Sequence, residues 1–589
     1  MMKKWMCIML SLAVLLSTGT MTAAFAEEAG ITEKELTAYI YSKDKTGTLK
    51  CLFRSGLPDM AYISTVDFLS HAYVEAPVEV KNEDGTYTVS NSGGTMVIDP
   101  VKDTLHFDGF EGFSQIQPNV EGSELDAPYL KETGYVFEGE IAGLDLDLGA
   151  YGLDILEYDG KTWFPASTIS LLFGVSYNAA VYSGGCIWFV HSSDLIGSGS
   201  YFSDMSAYNT LERSEDLAKL TYSELCLTID RFYGKPAQAE IASELEEMSF
   251  DQMLAGHSDE TRRARELLQS TNMVDYLCGM GFMARLFKDG GHTAIYMPAF
   301  IGLLYSGTAV QPEMEKAFTE GDDMLKNMLL YVLTNQGGQP ADPTQLDELR
   351  TPVYESETVR TWDDQTESRL VIHGDTAVFV FNAFLNEAVY HFKEALDLAK
   401  EKGAKRFVID VSCNPGGSTN IVMYMLAMIT NRNRDSYTSG YRKIQTITGN
   451  IIRTDHENDL NLDGEINDLD KEVYYDFDYA ILTSKSSYSS GNLLPCLAKN
   501  AGIPILGERS GGGSCSILII YSPERYYYTI SSYTKLIDGN GVDVDSGAEL
   551  DYDLTKIEKD EAGNETVDYS GMYDLDDIGE KIDAFYDIR

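Results

Sequence analysis

The sequence predicts an α/β protein of several units, on three observations. From Thr376 onward, short apolar runs alternate with helical patterns, the mark of a sheet built with crossover connections. Residues 205 to 350 carry apolar residues three and four apart, as in Leu211 to Tyr233 and Met273 to Phe287, which reads as helix. Residues 30 to 200 are rich in strands and turns, which reads as a small α+β module. A chain of 589 residues is too long for one core, and 44% apolar residues are enough for several.

The formal net charge is −47, and phosphates would be repelled, so nucleic acid is excluded as a partner. Lys3 and Lys4, the apolar run Met6 to Leu16 and the small-x-small site Ala24-Phe25-Ala26 read as a secretory signal peptide over residues 1–26. The run is shorter than the about 20 residues a membrane span needs, and no later segment is long and apolar enough. The expected location is therefore secreted, extracellular or at the cell envelope. Cys7 leaves with the leader, and seven cysteines remain: Cys51, Cys186, Cys226, Cys278, Cys413, Cys496 and Cys515. An odd, scattered set reads as buried free thiols rather than a disulfide framework. Cys413 and Cys515 both fall in glycine-rich turns, and no spacing rule pairs them.

In the module, Met60 to Leu69 is followed by Gly94 to Ile98 and Thr104 to Phe107; Gly160 to Gly174 is followed by Val181 to Val190. Each set reads as strand, capped helix and hairpin. The pattern resembles the copper amine oxidase N-terminal-like module found in many secreted bacterial proteins. It implies a spacer or a contact with the cell envelope, and no metal site is carried over. Gly337-Gly338-Gln-Pro340 and Pro343 mark a break, and residues 350 to 370 read as a link. Beyond them come strand 377–381, helix 388–402, strand 406–411, helix 418–431, strand 479–483, helix 490–501, strand 503–506 and strands within 515–535.

Two strand ends carry the chemistry. Phe407 to Val411 runs into Ser412-Cys-Asn-Pro-Gly-Gly-Ser418, whose glycines allow outward N–H groups and close backbone approach. Tyr479 to Thr483 runs into Ser486-Ser-Tyr-Ser-Ser-Gly491, with a helix beginning near Asn492. Ser489 then stands at a strand-to-helix corner, where helix-end N–H groups favour a developing anion. A serine at such a place otherwise serves as a helix cap.

Together these turns, with Leu506-Gly-Glu508, Ser510-Gly-Gly512 and Gly547-Ala-Glu-Leu-Asp551, resemble the C-terminal processing peptidase family. That family includes the tail-specific proteases, the tricorn core and the interphotoreceptor retinoid-binding repeats. The resemblance covers roughly residues 275 to 585 and implies a crotonase-like mixed sheet over 370–589. It implies Ser489 as nucleophile, and Ser490 with Gly416 or Gly417 as oxyanion donors. The Ser/Lys branch has its lysine just after the Gly-Glu turn; here Gly511-Gly-Gly-Ser514 stands there, and neither Lys485 nor Lys499 fits. The tricorn-like branch takes a histidine upstream of the sheet, and Asp289-Gly-Gly-His-Thr293 resembles its signature. His292 is therefore the expected general base, usefully poised near neutral pH. Glu549 sits near the family's acidic position, although Leu550 stands where the family has proline.

Between the two turns, Asp459, Asn461, Asp463, Glu465 (through its carbonyl), Asn467 and Asp470 take the ligand positions of a calcium loop, with Gly464 at the sharp turn. The expectation is one structural Ca2+ in an insertion at 455–472, no organic cofactor, and a polypeptide as substrate. The expected function is a secreted serine endopeptidase; the alternative is a peptide- or ligand-binding protein that keeps the fold without turnover.

Overall fold

The computed structural model describes residues 30–587, apart from 42–44, 116–126, 175–177, 192–209, 291, 296–309, 335–341, 433, 435 and 560–564. The signal peptide expected at 1–26, the break at Gly337 to Pro340 and Gly291 of the histidine turn lie outside them. The rest is a mixed α/β structure, as expected.

The sheet that positions the site has seven strands, in the order Thr358–Thr361, Arg369–His373, Thr376–Val380, Arg406–Asp410, Asp478–Thr483, Ile505–Gly507 and Tyr552–Asp553. The first three pair antiparallel and the remainder parallel, so the sheet is mixed. Its central strands are buried on both faces, which explains their unbroken apolar runs. Phe379, Phe407, Ile409 and Ile481 point into one core with the crossover helices Glu387–Lys402, Thr419–Thr430 and Ser490–Asn500. Val378, Val380, Val408, Ala480 and Leu482 point into another, against the helices Thr344–Glu357 and Leu575–Asp587. The helix Glu387–Lys402 shows why these crossovers form: Ala388, Phe392, Ala395 and Ala399 bury one stripe, and Gly403 at φ 81° stops it.

A second sheet crosses the expected unit boundaries. Tyr527–Ile537 pairs with Ala294–Ile295, Cys515–Tyr521 and Thr438–Gln445; Thr438–Gln445 pairs with Ile451–Asn458, and that with Leu130–Glu138. The chain expected to form an N-terminal module thus contributes a strand to the C-terminal half. The other N-terminal strands form a seven-stranded and a five-stranded sheet. The two hairpins expected there are present, at Gly94–Asp99 with Thr104–Phe107 and at Asn178–Ser183 with Cys186–His191. All seven cysteines are unpaired, and burial pushes the Cys413 thiol up to about 12. Among the described residues, no helix is long and apolar enough to cross a membrane.

Candidate active site

Two turns at the carboxyl ends of adjacent parallel strands are stitched together by serines. Ser487 Oγ donates to the Val411 carbonyl at 2.7 Å, Ser484 Oγ donates to the Ser412 carbonyl, and the Tyr488 N–H donates to the Asn414 carbonyl at 3.2 Å. Ser489 therefore stands directly over the glycine turn. Its backbone is held at φ 54° and ψ −119°, a conformation a side-chain-bearing residue rarely adopts. Its N–H donates to the Gly512 carbonyl at 2.9 Å, and its own carbonyl accepts from Asn492 and Leu493 at 3.0 and 2.9 Å. The helix Ser490–Asn500 starts at once, so Ser489 sits half-buried at its positive end.

Opposite it, Gly416 and Gly417 have φ of 116° and 135°. A Cβ on Gly416 would lie 2.8 Å from the Ser489 Cβ, and one on Gly417 would lie 2.4 Å from the Phe384 carbonyl oxygen. Close approach as well as φ thus demands glycine. The two N–H groups differ. That of Gly416 donates to Asn414 Oδ1 at 2.9 Å. Those of Gly417 and Ser490 have no acceptor among the described residues, while Ser490 Oγ ties the two turns by donating to the Gly417 carbonyl at 2.7 Å.

The histidine turn comes to this corner from over a hundred residues away, carried on Tyr488. The Tyr488 hydroxyl donates to the Asp289 carbonyl at 2.9 Å, and a Cβ on Gly290 would meet the Tyr488 ring at 2.8 Å. The His292 and Tyr488 rings meet edge to face, with centroids 5.1 Å apart. Asp289 braces the turn by accepting from the Thr293 N–H at 3.0 Å, from Thr293 Oγ1, and from Ser531 Oγ at 2.7 Å. Thr529 Oγ1 donates to the His292 carbonyl at 2.7 Å.

His292 is only 5% exposed, and its Nδ1 is buried without a hydrogen-bond partner among the described residues. Burial lowers its pKa below the ordinary imidazole value; Asp289, Asp545 and a hydrogen bond with the Cys515 backbone pull the other way. Burial thus favours the neutral ring.

Asp545 was not singled out from the sequence. It is buried and accepts from Gly513, Ser514 and Ala237 N–H groups at 3.1, 3.2 and 2.9 Å, so it fixes the turn whose Gly512 carbonyl holds Ser489. Nothing separates it in the sequence from acidic neighbours such as Asp543 and Glu549. Glu549 is exposed and is not among the carboxylates that act on His292. Lys485 pairs with Glu508 at 3.0 Å and Lys499 with Asp551 at 2.7 Å, so both ammonium groups are taken up in ion pairs.

The acidic loop is anchored to the helix Thr419–Thr430, where the Tyr424 hydroxyl donates to the Leu460 carbonyl at 3.2 Å. Asp459 accepts from Asp463 and Gly464 N–H groups at 3.2 and 2.8 Å; Asp470 accepts from Asn461 and Asn467 at 3.2 and 2.8 Å. Asn461 Oδ1 accepts from the Asp463 N–H at 2.8 Å, Asp463 Oδ1 from the Glu465 N–H at 2.9 Å, and Asn467 Oδ1 from the Leu469 N–H at 2.9 Å. Gly464 makes the turn at φ 90°. Among the described residues, no three His, Cys, Asp or Glu side chains converge on one metal position. The donor set is nonetheless all oxygen, and Asp459 and Asp470 are both buried beside each other, with burial raising the Asp459 pKa. That chemistry suits a hard cation.

A half-buried strained serine, N–H groups without acceptors among the described residues and a histidine turn held on one tyrosine meet at one corner, an arrangement chemically suited to acyl transfer. Residues 375–547 match peptidase family S41. The matched segment contains Ser489, Ser490, Gly416, Gly417 and Asp545, whereas His292 lies upstream of it. No curated protein matches. Among solved structures, a candidate peptidase from Parabacteroides merdae is 16% identical, over 58% of this chain and 90% of its own, with a TM-score of 0.36. Mature CPAF complexed with lactacystin is 11% identical over 58% and 94%, with a TM-score of 0.33. The photosystem II D1 C-terminal processing protease is 16% identical over 30% and 42%, with a TM-score of 0.24.

Proposed function

We propose that this chain is a serine endopeptidase acting on polypeptide, with Ser489 as nucleophile and His292 as general base. The observation that carries the reading is the corner itself. Ser489 is held at φ 54° on a helix N-terminus, against Gly416 and beside the Gly417 and Ser490 N–H groups, which have no acceptor among the described residues. In the reaction, the neutral His292 takes the Ser489 proton as Oγ attacks a peptide carbonyl. The oxyanion is received by the Gly417 and Ser490 N–H groups; Gly416, whose N–H serves Asn414, supplies space for the approach. The resulting imidazolium then gives its proton to the leaving amine, and water releases the acyl group by the same route in reverse. The Cys515 carbonyl and Asp545 take the role of orienting and stabilising the histidine that Glu549 was expected to fill.

We propose in addition that the chain is exported by its signal peptide, that the N-terminal strands serve as spacer or envelope contact, and that the loop Asp459–Asp470 takes one structural Ca2+. In that loop Asp459, Asn461, Asp463, the Glu465 carbonyl, Asn467 and Asp470 would hold the ion, which would neutralise the buried pair Asp459 and Asp470. The peptidase reading is tested with unfolded casein and the Ser489→Ala variant. Loss of hydrolysis in a folded variant is expected; hydrolysis at the parent rate rejects Ser489.

A further inference from the structure

Behind the glycine turn lies a buried cation with no role in the reaction above. Arg350, on the helix Thr344–Glu357, is 3% exposed in a chain of net charge −47. Its Nε donates to Asp347 Oδ1 at 3.0 Å and its Nη2 to Asn382 Oδ1 at 2.6 Å. Nη1 has no hydrogen-bond partner among the described residues; it stands 3.9 Å from Asp410 Oδ2. Asp410 is 0% exposed, and Arg350 is the one cation in ion-pair range of it among the described residues. The Asp410 carboxylate in turn accepts the Ser412 N–H at 2.8 Å and the Tyr354 hydroxyl at 2.8 Å.

These contacts fall at one place in the fold. Asp410 ends one strand and is paired in register with Val380, two residues before Asn382. The guanidinium therefore spans the carboxyl ends of two adjacent parallel strands. Just beyond, the same two segments meet again: the Phe384 N–H donates to the Gly416 carbonyl at 2.9 Å, and the Ser418 N–H donates to the Phe384 carbonyl at 2.9 Å. The Gly417 N–H is thus aimed by a backbone clamp whose two arms are tied at their base by Arg350. The planar fork of arginine can reach both arms at once, and lysine cannot. The cation also offsets the buried Asp410 charge, which would otherwise oppose negative charge forming over the turn.

We propose that Arg350 is a positioning residue for the oxyanion turn, setting the Gly417 N–H and balancing Asp410 beneath it. This rests on Gly417 being an oxyanion donor. The test compares Arg350→Met, Arg350→Lys and the double variant Arg350→Met/Asp410→Asn with the parent, by kcat and KM on a peptide substrate. Hydrogen exchange of residues 411–418 is followed in parallel. The expected result for Arg350→Met is a kcat lower by about tenfold or more, below the full cost of losing a donor, with KM nearly unchanged. The double variant should recover part of that loss, and folded Arg350→Lys should fall between parent and Met. Exchange at 411–418 should quicken in both single variants. Parent kcat in Arg350→Met, or a loss confined to KM, overturns the proposal, as does unchanged exchange. If the parent itself shows no Ser489-dependent hydrolysis, the peptidase reading fails, and exchange at 411–418 alone decides whether Arg350 sets the turn. If Arg350→Met does not fold, Arg350→Lys decides by the same two readouts.

Discussion

The Ser489 corner and the Asp459–Asp470 loop are both polar turns, one just after the strand Asp478–Thr483 and the other on the chain leading into it, yet they treat their polar groups in opposite ways. In the loop, Asp459, Asn461, Asp463, Asn467 and Asp470 each accept backbone N–H groups of the loop itself. At the corner, the Gly417 N–H, the Ser490 N–H and His292 Nδ1 have no partner among the described residues, and Ser489 is strained. An unmade hydrogen bond at a buried group costs about 1–3 kcal/mol, so a fold keeps such groups where a ligand will complete them. Self-satisfied groups make a loop rigid; left-over groups make a site. The difference can be broken experimentally from either side.

The largest effect is expected from Ser489→Ala, which should lower hydrolysis by about 10⁴-fold or more. Because the strain lies in the backbone, Ser489→Gly should be equally inactive but more stable than the parent, by about 1 kcal/mol in a thermal or denaturant melt. Next comes Gly417→Ala, whose Cβ would lie 2.4 Å from the Phe384 carbonyl at φ 135°. It should cost about 1–3 kcal/mol of stability and about 100-fold in kcat.

The third test is pH. The base form of His292 is the active one, so rate rises with pH through its folded pKa, which burial places below 6.5. The acid limb of kcat/KM should therefore lie below the ordinary imidazole value, and should be absent from the residual activity of His292→Ala. The unfolded chain takes up the proton first as pH falls. The stability contributed by burying a neutral His292 is thus present above about 6.5 and is lost as pH falls through the folded pKa. His292→Gln should flatten that part of the stability–pH curve.

The smallest effect belongs to the loop. Calcium at a hundredfold excess over its Kd should raise stability by about 2.7 kcal/mol. Asp459→Ala with Asp463→Ala should abolish that gain, together with any heat of binding in calorimetry, while kcat changes little. No heat with the parent chain would reject the ion.

The main sheet was legible because each central strand is buried on both faces. Ala377–Val380, Phe407–Ile409 and Ala480–Leu482 need no partner information to be read as strands. The hairpin Thr438–Gln445 with Ile451–Asn458 was not read, because its strands are half-buried, carry charges such as Arg442 and Asp455, and find their other partner in Leu130–Glu138, about three hundred residues away. At the corner, a run of small residues after an apolar strand singled out Ser489, Gly416 and Gly417. The division of labour between the two glycines was invisible, since it depends on the Asn414 side chain reaching the Gly416 N–H. Asp545 and Arg350 were missed for the same kind of reason: only folding buries one charge among many.

The central claim is that Ser489 is a nucleophile made reactive by this corner. The most direct measurement is mass-spectrometric mapping of the adduct left by a fluorophosphonate on the folded chain. The account predicts a single adduct on Ser489, absent in Ser489→Ala and formed far more slowly in His292→Ala. No adduct on the parent chain, or an adduct on Ser486, Ser487 or Ser490 instead, would contradict it.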